Sequence, residues 1–187
     1  MRTVNPVLVC SLLLIAGAAA GDDSVSATKA GKSVVLAQLA GKWDVRYEFV
    51  DKAGRQRVDN GQVTYTWILD GKALQEVWTS DSENKGKEAR PFGTSINFFD
   101  PKQQHWTAVW IYPAQGETWT MSGGDVDGQF VMTGHDMTGA LQRWTTRIAS
   151  PDTVIGRFDI SHDEGKTWKE VGLNQMQRVP GEKSGGK

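Results

Sequence analysis

The stretch from Leu39 to Val50, LAGKWDVRYEFV, constrains the fold more than any other part of the chain. Every second position is apolar, namely Trp43, Val45, Tyr47 and Phe49, and charged residues occupy the positions between them. Successive side chains of a β-strand point to opposite faces of the sheet. The alternation therefore predicts a strand with one buried face and one solvated face.

Nine further strand-like runs follow, separated by turn residues, and no helix is predicted between them. They are 61–69, 72–80, 92–99, 104–112, 117–125, 129–136, 140–148, 153–161 and 166–179. Asp70-Gly71 and Asp127-Gly128 predict two-residue hairpin turns. Consecutive strands joined by short turns pair antiparallel, and only closure removes both sheet edges. We predict an all-β, antiparallel up-and-down barrel of about ten strands; a two-sheet sandwich is the alternative.

The N-terminal residues have the pattern of an export signal. Arg2 precedes an apolar run over residues 7–20 that ends in three alanines, which predicts a signal peptide (1–20) cleaved after Ala20. An uncleaved membrane anchor would need a longer run, and a lipid-anchored Cys10 would follow the run instead of lying inside it. We therefore expect a periplasmic or extracellular protein, with no membrane span and no cysteine in its mature form.

The remaining chain divides into an arm, a domain and a tail. Residues 21–32 predict a flexible arm, residues 33–179 the barrel, and residues 180–187 a disordered tail. Within the barrel segment, 33–40 predicts one or two helical turns capped by Ser33 and closing one end. The 21 Lys and Arg against 22 Asp and Glu form no basic block, which argues against nucleic acids and anionic membranes as partners.

Tryptophan is abundant, with eight residues at 43, 67, 78, 106, 110, 119, 144 and 168. Each has a large apolar face, so the set either packs the core or lines a cavity for a flat ligand. We predict that five of them line such a cavity, namely Trp67, Trp78, Trp110, Trp119 and Trp144. Glu76 and Arg143 alternate with apolar neighbours in their strands. If both face inward they must pair and form the polar end of the pocket; outward, solvated positions are the alternative.

Several motifs resemble those of the lipocalin and calycin barrels. Gly41-Lys42-Trp43 resembles their opening motif, and Leu69 to Lys72 and the hairpin before Trp168 are similar to hairpins of bacterial secreted calycin-like proteins of unassigned function. The resemblance implies the barrel, its short N-terminal helix, and Trp43 as a plug of the closed end. It also implies that Arg178 in the last strand lies on the Trp43 ring as a cation–π contact.

Two other sets of residues bear on chemistry. Ser161 to Trp168, SHDEGKTW, resembles the Asp-box hairpin of sialidase propellers, in which Asp163, Gly165 and Trp168 are expected to have structural roles. The histidines, at 105, 135 and 162, have no metal-ligand spacing and do not suit a haem ligand. The sequence therefore predicts no metal and no cofactor.

The function that fits these observations is binding of a small hydrophobic or aromatic molecule inside an exported barrel. The entrance is expected opposite the N-terminal helix, with the loop over residues 81–90 as a lid. Two alternatives stay open. One is a barrel enzyme of isomerase, cyclase or lyase type that uses Glu76 and Arg143. The other is a structural or interaction module without a ligand, which would have a filled interior.

Overall fold

Ten strands form one closed antiparallel barrel in the computed structural model, which describes residues 31–51, 53–84 and 90–181. The predicted fold class is confirmed, and the sandwich alternative is wrong. The predicted signal peptide, most of the arm and the last six residues lie outside the described residues. Those expectations therefore stay predictions.

The strands follow the predicted order. The first five are β1 (Gly41–Val50), β2 (Gln56–Ile68), β3 (Ala73–Ser80), β4 (Pro91–Asp100) and β5 (His105–Tyr112). The last five are β6 (Glu117–Val126), β7 (Gln129–His135), β8 (Leu141–Ser150), β9 (Thr153–Ser161) and β10 (Lys169–Arg178). Helix α1 (Leu36–Leu39) precedes β1, and a single turn of helix, α2 (Asp81–Asn84), follows β3. Together with a 3-10 turn (Pro113–Gln115), α2 corrects the expectation that no helical segment separates the strands.

The first strand closes the barrel. On one side of β1, Trp43 lies opposite Val63 of β2, and on the other side it lies opposite Arg178 of β10. Each of the ten strands thus has two antiparallel neighbours. No backbone edge of this sheet is left to pair with another chain, which is the advantage of closure over an open meander.

The two ends of the barrel differ in their connections. At the end where β1 begins, the strands are joined by tight turns, including the predicted Asp127-Gly128 turn with φ of 49° and 75°. The β2–β3 turn is wider than predicted: it spans Leu69 to Lys72, and Leu69, Asp70 and Gly71 all have positive φ. Longer connections, including α2 and the 3-10 turn, lie at the other end.

Helix α1 covers the end with the tight turns. Leu36 and Leu39 are each 1% exposed and point into the barrel. The Ser33 hydroxyl accepts a hydrogen bond from the Leu36 amide at 3.0 Å and donates one to Oδ1 of Asp125 on β6 at 2.6 Å. The Val34 amide donates to the second oxygen of Asp125 at 2.7 Å. The helix is thus fixed to the wall by its first residues.

Trp43 and Arg178 complete this closed end. Trp43 is fully buried, and its indole N–H donates to the Leu39 carbonyl at 2.7 Å. The Arg178 guanidinium lies 4.0 Å from the centre of the Trp43 ring and donates to the carbonyls of Gln38 and Ala40, each at 2.9 Å. One cation therefore satisfies the carbonyls at the end of α1 while it stacks on the plug, as the calycin resemblance implies.

Candidate functional site

A cavity of about 240 Å³, which we call the chamber, lies inside the barrel above α1. Leu36 and Leu39 form its floor, and inward-facing side chains of the strands form its wall. Five of the seven predicted pocket residues line it, namely Glu76, Trp78, Trp110, Trp119 and Trp144. The interior of the barrel is therefore not filled by its own side chains.

A second cavity of about 540 Å³, the mouth, adjoins the chamber at the open end. Tyr47, Phe92 and Trp144 are among the residues that line both cavities. Ser82 of α2 also lines the mouth, so the segment predicted to be a lid begins there. Residues 85–89 lie outside the described residues, and their role as a lid stays a prediction.

Aromatic rings are the largest group in the chamber wall, eight of its eighteen lining residues. Trp110 and Trp119 lie directly opposite each other on β5 and β6, with ring centres 5.7 Å apart and planes 31° apart. Trp78 and Trp144 meet edge to face across the lumen at 6.3 Å. Gly93 leaves room for Trp110, because a Cβ there would come within 2.6 Å of the indole ring. The wall is thus apolar and held in place by ring contacts.

Glu76 is the carboxylate of the chamber. Strand alternation points it inward between Leu74 and Trp78, a direction that the sequence had left open. Its Oε2 accepts a hydrogen bond from the Trp78 indole at 3.0 Å, and its Oε1 accepts one from the Asn97 amide at 2.7 Å. Burial raises the pKa of Glu76, and the two hydrogen bonds oppose that rise.

Arg143 does not face the chamber, so the predicted pair with Glu76 does not exist. Its neighbour Trp144 points inward, and alternation therefore sends Arg143 to the outer face. There its guanidinium donates to Asp159 at 2.8 and 3.1 Å and lies 4.2 Å from the centre of the Trp168 ring. Asp159 also accepts a hydrogen bond from Arg157 at 2.9 Å. This cluster belongs to the wall and not to the pocket.

Trp67 is also absent from the chamber lining. It faces inward, but it lies opposite Leu74 next to the last residue of β2, at the closed end. There it packs against the buried core. Strand alternation predicts only that Trp67 faces inward. It does not predict how far along the barrel axis Trp67 lies from the chamber floor.

Four polar lining residues went unnoticed in the sequence: Ser95, Asn97, Thr146 and Asn174. Asn97 is 2% exposed and Thr146 3%, and the Trp144 indole donates to the Thr146 hydroxyl at 2.9 Å. Strand alternation could have identified Thr146, because it lies two residues after Trp144 and therefore faces the same side of β8. Tyr47, between the two cavities, donates to the Thr79 carbonyl at 2.7 Å, and burial raises the pKa of its hydroxyl.

The hairpin with the Asp-box resemblance lies outside the chamber. Asp163 accepts hydrogen bonds from the hydroxyl and amide of Thr167, at 2.6 and 2.8 Å, and from the Ser161 hydroxyl at 2.8 Å. These bonds lower the pKa of Asp163 to about 2. Gly165 has φ of +81°, and a Cβ there would come within 3.4 Å of the Trp168 ring, so the three residues shape a turn.

Within residues 31–51, 53–84 and 90–181, no group of three or more His, Cys, Asp and Glu could hold a metal ion. No helix among these residues is long and apolar enough to cross a membrane.

Comparisons with known proteins bear on the fold. No family model and no curated protein sequence matches the chain. The structure is similar to the S-type phycobiliprotein lyase CPES from Guillardia theta, with a TM-score of 0.50 and 17% identity over 77% of this chain and 90% of that one. It is also similar to Rv2717c from M. tuberculosis, with a TM-score of 0.56 and 15% identity over 77% and 94% of the two chains. At these identities the likeness shows a shared calycin-like barrel fold.

Proposed function

We propose that this protein binds a small hydrophobic or aromatic molecule in the barrel interior. The observation that carries the proposal is the chamber, a cavity inside the barrel lined mainly by aromatic and aliphatic side chains, with a few polar groups. Small-molecule sites are usually concave, mostly apolar and equipped with a small number of oriented polar side chains. The chamber and the mouth together give such a molecule a site and a route.

The shared fold supports this proposal without identifying a ligand. One structural neighbour is a phycobiliprotein lyase, and barrels of this type carry unrelated activities, so no activity transfers with the fold. The apolar run over residues 7–20 adds the expectation that binding takes place after export.

Enzymatic use of the chamber is the second candidate. A carboxyl with a raised pKa inside a cavity is suited to move a proton, and Glu76 meets that description. Arg143 takes no part, because it lies on the outer face. Turnover of a bound compound that disappears in Glu76→Gln would favour this candidate. The third class, a module without a ligand, would suit a filled interior, so the chamber favours the first two candidates over it.

The test of binding uses a matched pair of substitutions on β5. Ala108 faces the chamber and Val109 faces outward, so Ala108→Phe fills the cavity whereas Val109→Phe adds the same ring outside. The neutral probe N-phenyl-1-naphthylamine is titrated, with its emission excited through the tryptophans. We expect wild type and Val109→Phe to bind it, and Ala108→Phe to bind at least tenfold more weakly. Equal binding by all three proteins would overturn the proposal.

A further inference from the structure

We infer that the chamber selects organic cations, such as a protonated amine on an aromatic body, with Glu76 as the partner of the positive charge. This inference rests on the proposed function and narrows its ligand class. Three observations carry it: the charge inventory of the chamber, the rings around Glu76, and the charges at the mouth.

The first observation is that Glu76 has no cationic partner among the residues that the structure describes. Among the described residues that line the chamber it is the only carboxylate, and none is Lys, Arg or His. Its two hydrogen-bond donors, the Trp78 indole and the Asn97 amide, are both neutral. A carboxylate that is partly removed from water without a counter-charge is destabilised. Each oxygen accepts one bond and retains a further acceptor site, so a ligand N–H can still bind.

The second observation is the aromatic surround of that carboxylate. Trp78 contacts Trp144 at 6.3 Å, Tyr65 at 6.3 Å and Tyr47 at 6.1 Å between ring centres. A cation near the face of such a ring is attracted by its quadrupole, most strongly for Trp. Trp78 meets Glu76 with its N–H edge, so a cation at the carboxylate can gain from the faces of the rings around Trp78 and not from that edge. An organic cation is also attracted by the carboxylate, which repels an anion.

The third observation comes from the mouth. Its described lining residues include Glu48 and Asp59 and no basic residue. Glu48 is paired with Arg46, and the groups that donate hydrogen bonds to Asp59 within the described part of the chain are neutral, among them the hydroxyls of Ser80 and Ser82. Negative side chains at an entrance, such as Glu48 and Asp59 here, raise the local concentration of cations and lower that of anions. The mouth and the chamber therefore both favour a positively charged ligand.

Three compounds of nearly equal shape test the inference: 1-naphthylmethylamine, 1-ethylnaphthalene and 1-naphthylacetate. Their dissociation constants are measured by calorimetry at pH 7 for wild type, Glu76→Gln and Asp81→Asn. Asp81 is an exposed carboxylate at the open end, so Asp81→Asn removes the same charge outside the chamber. Circular dichroism and thermal melts verify that each variant is folded.

We expect wild type to bind the amine at least tenfold more tightly than 1-ethylnaphthalene and to bind 1-naphthylacetate most weakly. In Glu76→Gln the ratio of amine to ethyl affinity should fall about tenfold to a hundredfold, the range for a lost charge-assisted hydrogen bond. Asp81→Asn should retain the wild-type ratio.

Two results would overturn the inference in different ways. If 1-ethylnaphthalene binds as tightly as the amine, or if Glu76→Gln keeps the wild-type ratio, the cation preference is wrong while the proposed binding function stands. If none of the three compounds binds to wild type, the proposed function fails as well.

Discussion

Arg143 and Trp144 are adjacent residues that the barrel wall sends in opposite directions. The indole enters the chamber, and the guanidinium stays on the outer face against Trp168 and Asp159. The side chain of Asp159 is only 1% exposed, and it depends on Arg143 and Arg157 for its counter-charge. A buried carboxylate that loses a partner is destabilising, because its desolvation is no longer compensated.

Arg143→Met tests this assignment. We expect it to lower the free energy of unfolding by about 1–3 kcal/mol, since Arg157 still compensates part of the Asp159 charge. Urea denaturation measures the change. Arg147→Met is the control, because Arg147 is exposed on the same face of β8, and it should cost about 0.5 kcal/mol or less. Equal costs for the two substitutions, or loss of probe binding in folded Arg143→Met, would contradict the assignment.

The sequence contains information about the direction of individual side chains that the prediction of the pocket did not use. Strand alternation already shows that Arg143 and Trp144 cannot both face the lumen, so one of the two pocket assignments had to be wrong. The inward direction of Glu76 was harder to obtain, because its strand, LQEVWT, carries apolar residues on both faces. Its contact with Asn97 could not be predicted, since the two residues lie 21 positions apart and meet only through the register of β3 and β4.

At the scale of elements, the floor of the chamber depends on a helix of four residues. Helix α1 is too short to be stable alone, so tertiary contacts must hold it in place. Asp125 supplies two of them, through the Ser33 hydroxyl and the Val34 amide. Both bonds have a charged acceptor, which makes them stronger than neutral hydrogen bonds.

Asp125→Asn should loosen this helix, because an amide group can accept only with its oxygen and its nitrogen opposes the second donor. We expect the amides of Leu36, Ala37 and Gln38 to exchange with solvent about tenfold faster, equivalent to about 1.4 kcal/mol of local opening energy. Hydrogen exchange followed by NMR measures this. Asp127→Asn, in the adjacent exposed turn, is the control and should leave those amides unchanged. Unchanged exchange in both variants would show that Asp125 does not hold the helix.

Elements were more predictable than their connections. Ten alternating runs gave ten strands, because a half-buried wall imposes its period of two on the sequence. The prediction of a two-residue β2–β3 turn was wrong because Leu69 adopts a φ of 51°. Branched side chains rarely take this conformation, so the sequence does not indicate it. Similarly, DSEN gave no sign of the single helical turn α2 at the open end.

At the scale of the whole molecule, the two ends of the barrel differ: one is closed by packed side chains and the other opens to the chamber. Trp43, Arg178 and α1 close one end, and the other end retains the mouth and the longer connections. The chamber lies between the closed end and the mouth. Glu76 is a half-buried carboxyl in this space with a raised pKa, and its protonation must therefore affect the stability of the whole barrel.

The sign of that effect follows from the raised pKa of Glu76. Below its ordinary value of 4.5, Glu76 is neutral in both the folded and the unfolded chain, and its contribution to stability is fully present. As pH rises above 4.5, the unfolded chain releases the proton first, so the contribution falls until the folded group also ionises. Stability of wild type relative to Glu76→Gln should therefore decrease with pH across this window, by at most about 1.4 kcal/mol per pH unit, and then level off.

Urea denaturation from pH 3 to pH 8 measures this difference in the absence of ligand. Asp163→Asn serves as a control of opposite sign, because the pKa of Asp163 is lowered to about 2. Its contribution is present above its ordinary value of 3.8 and is lost as pH falls toward 2. Stability of wild type relative to Asp163→Asn should therefore decline only at the acidic end of the range. A wild-type advantage over Glu76→Gln that grows with pH would mean that a positive group already neutralises the chamber, which would also remove the basis for selecting a cationic ligand.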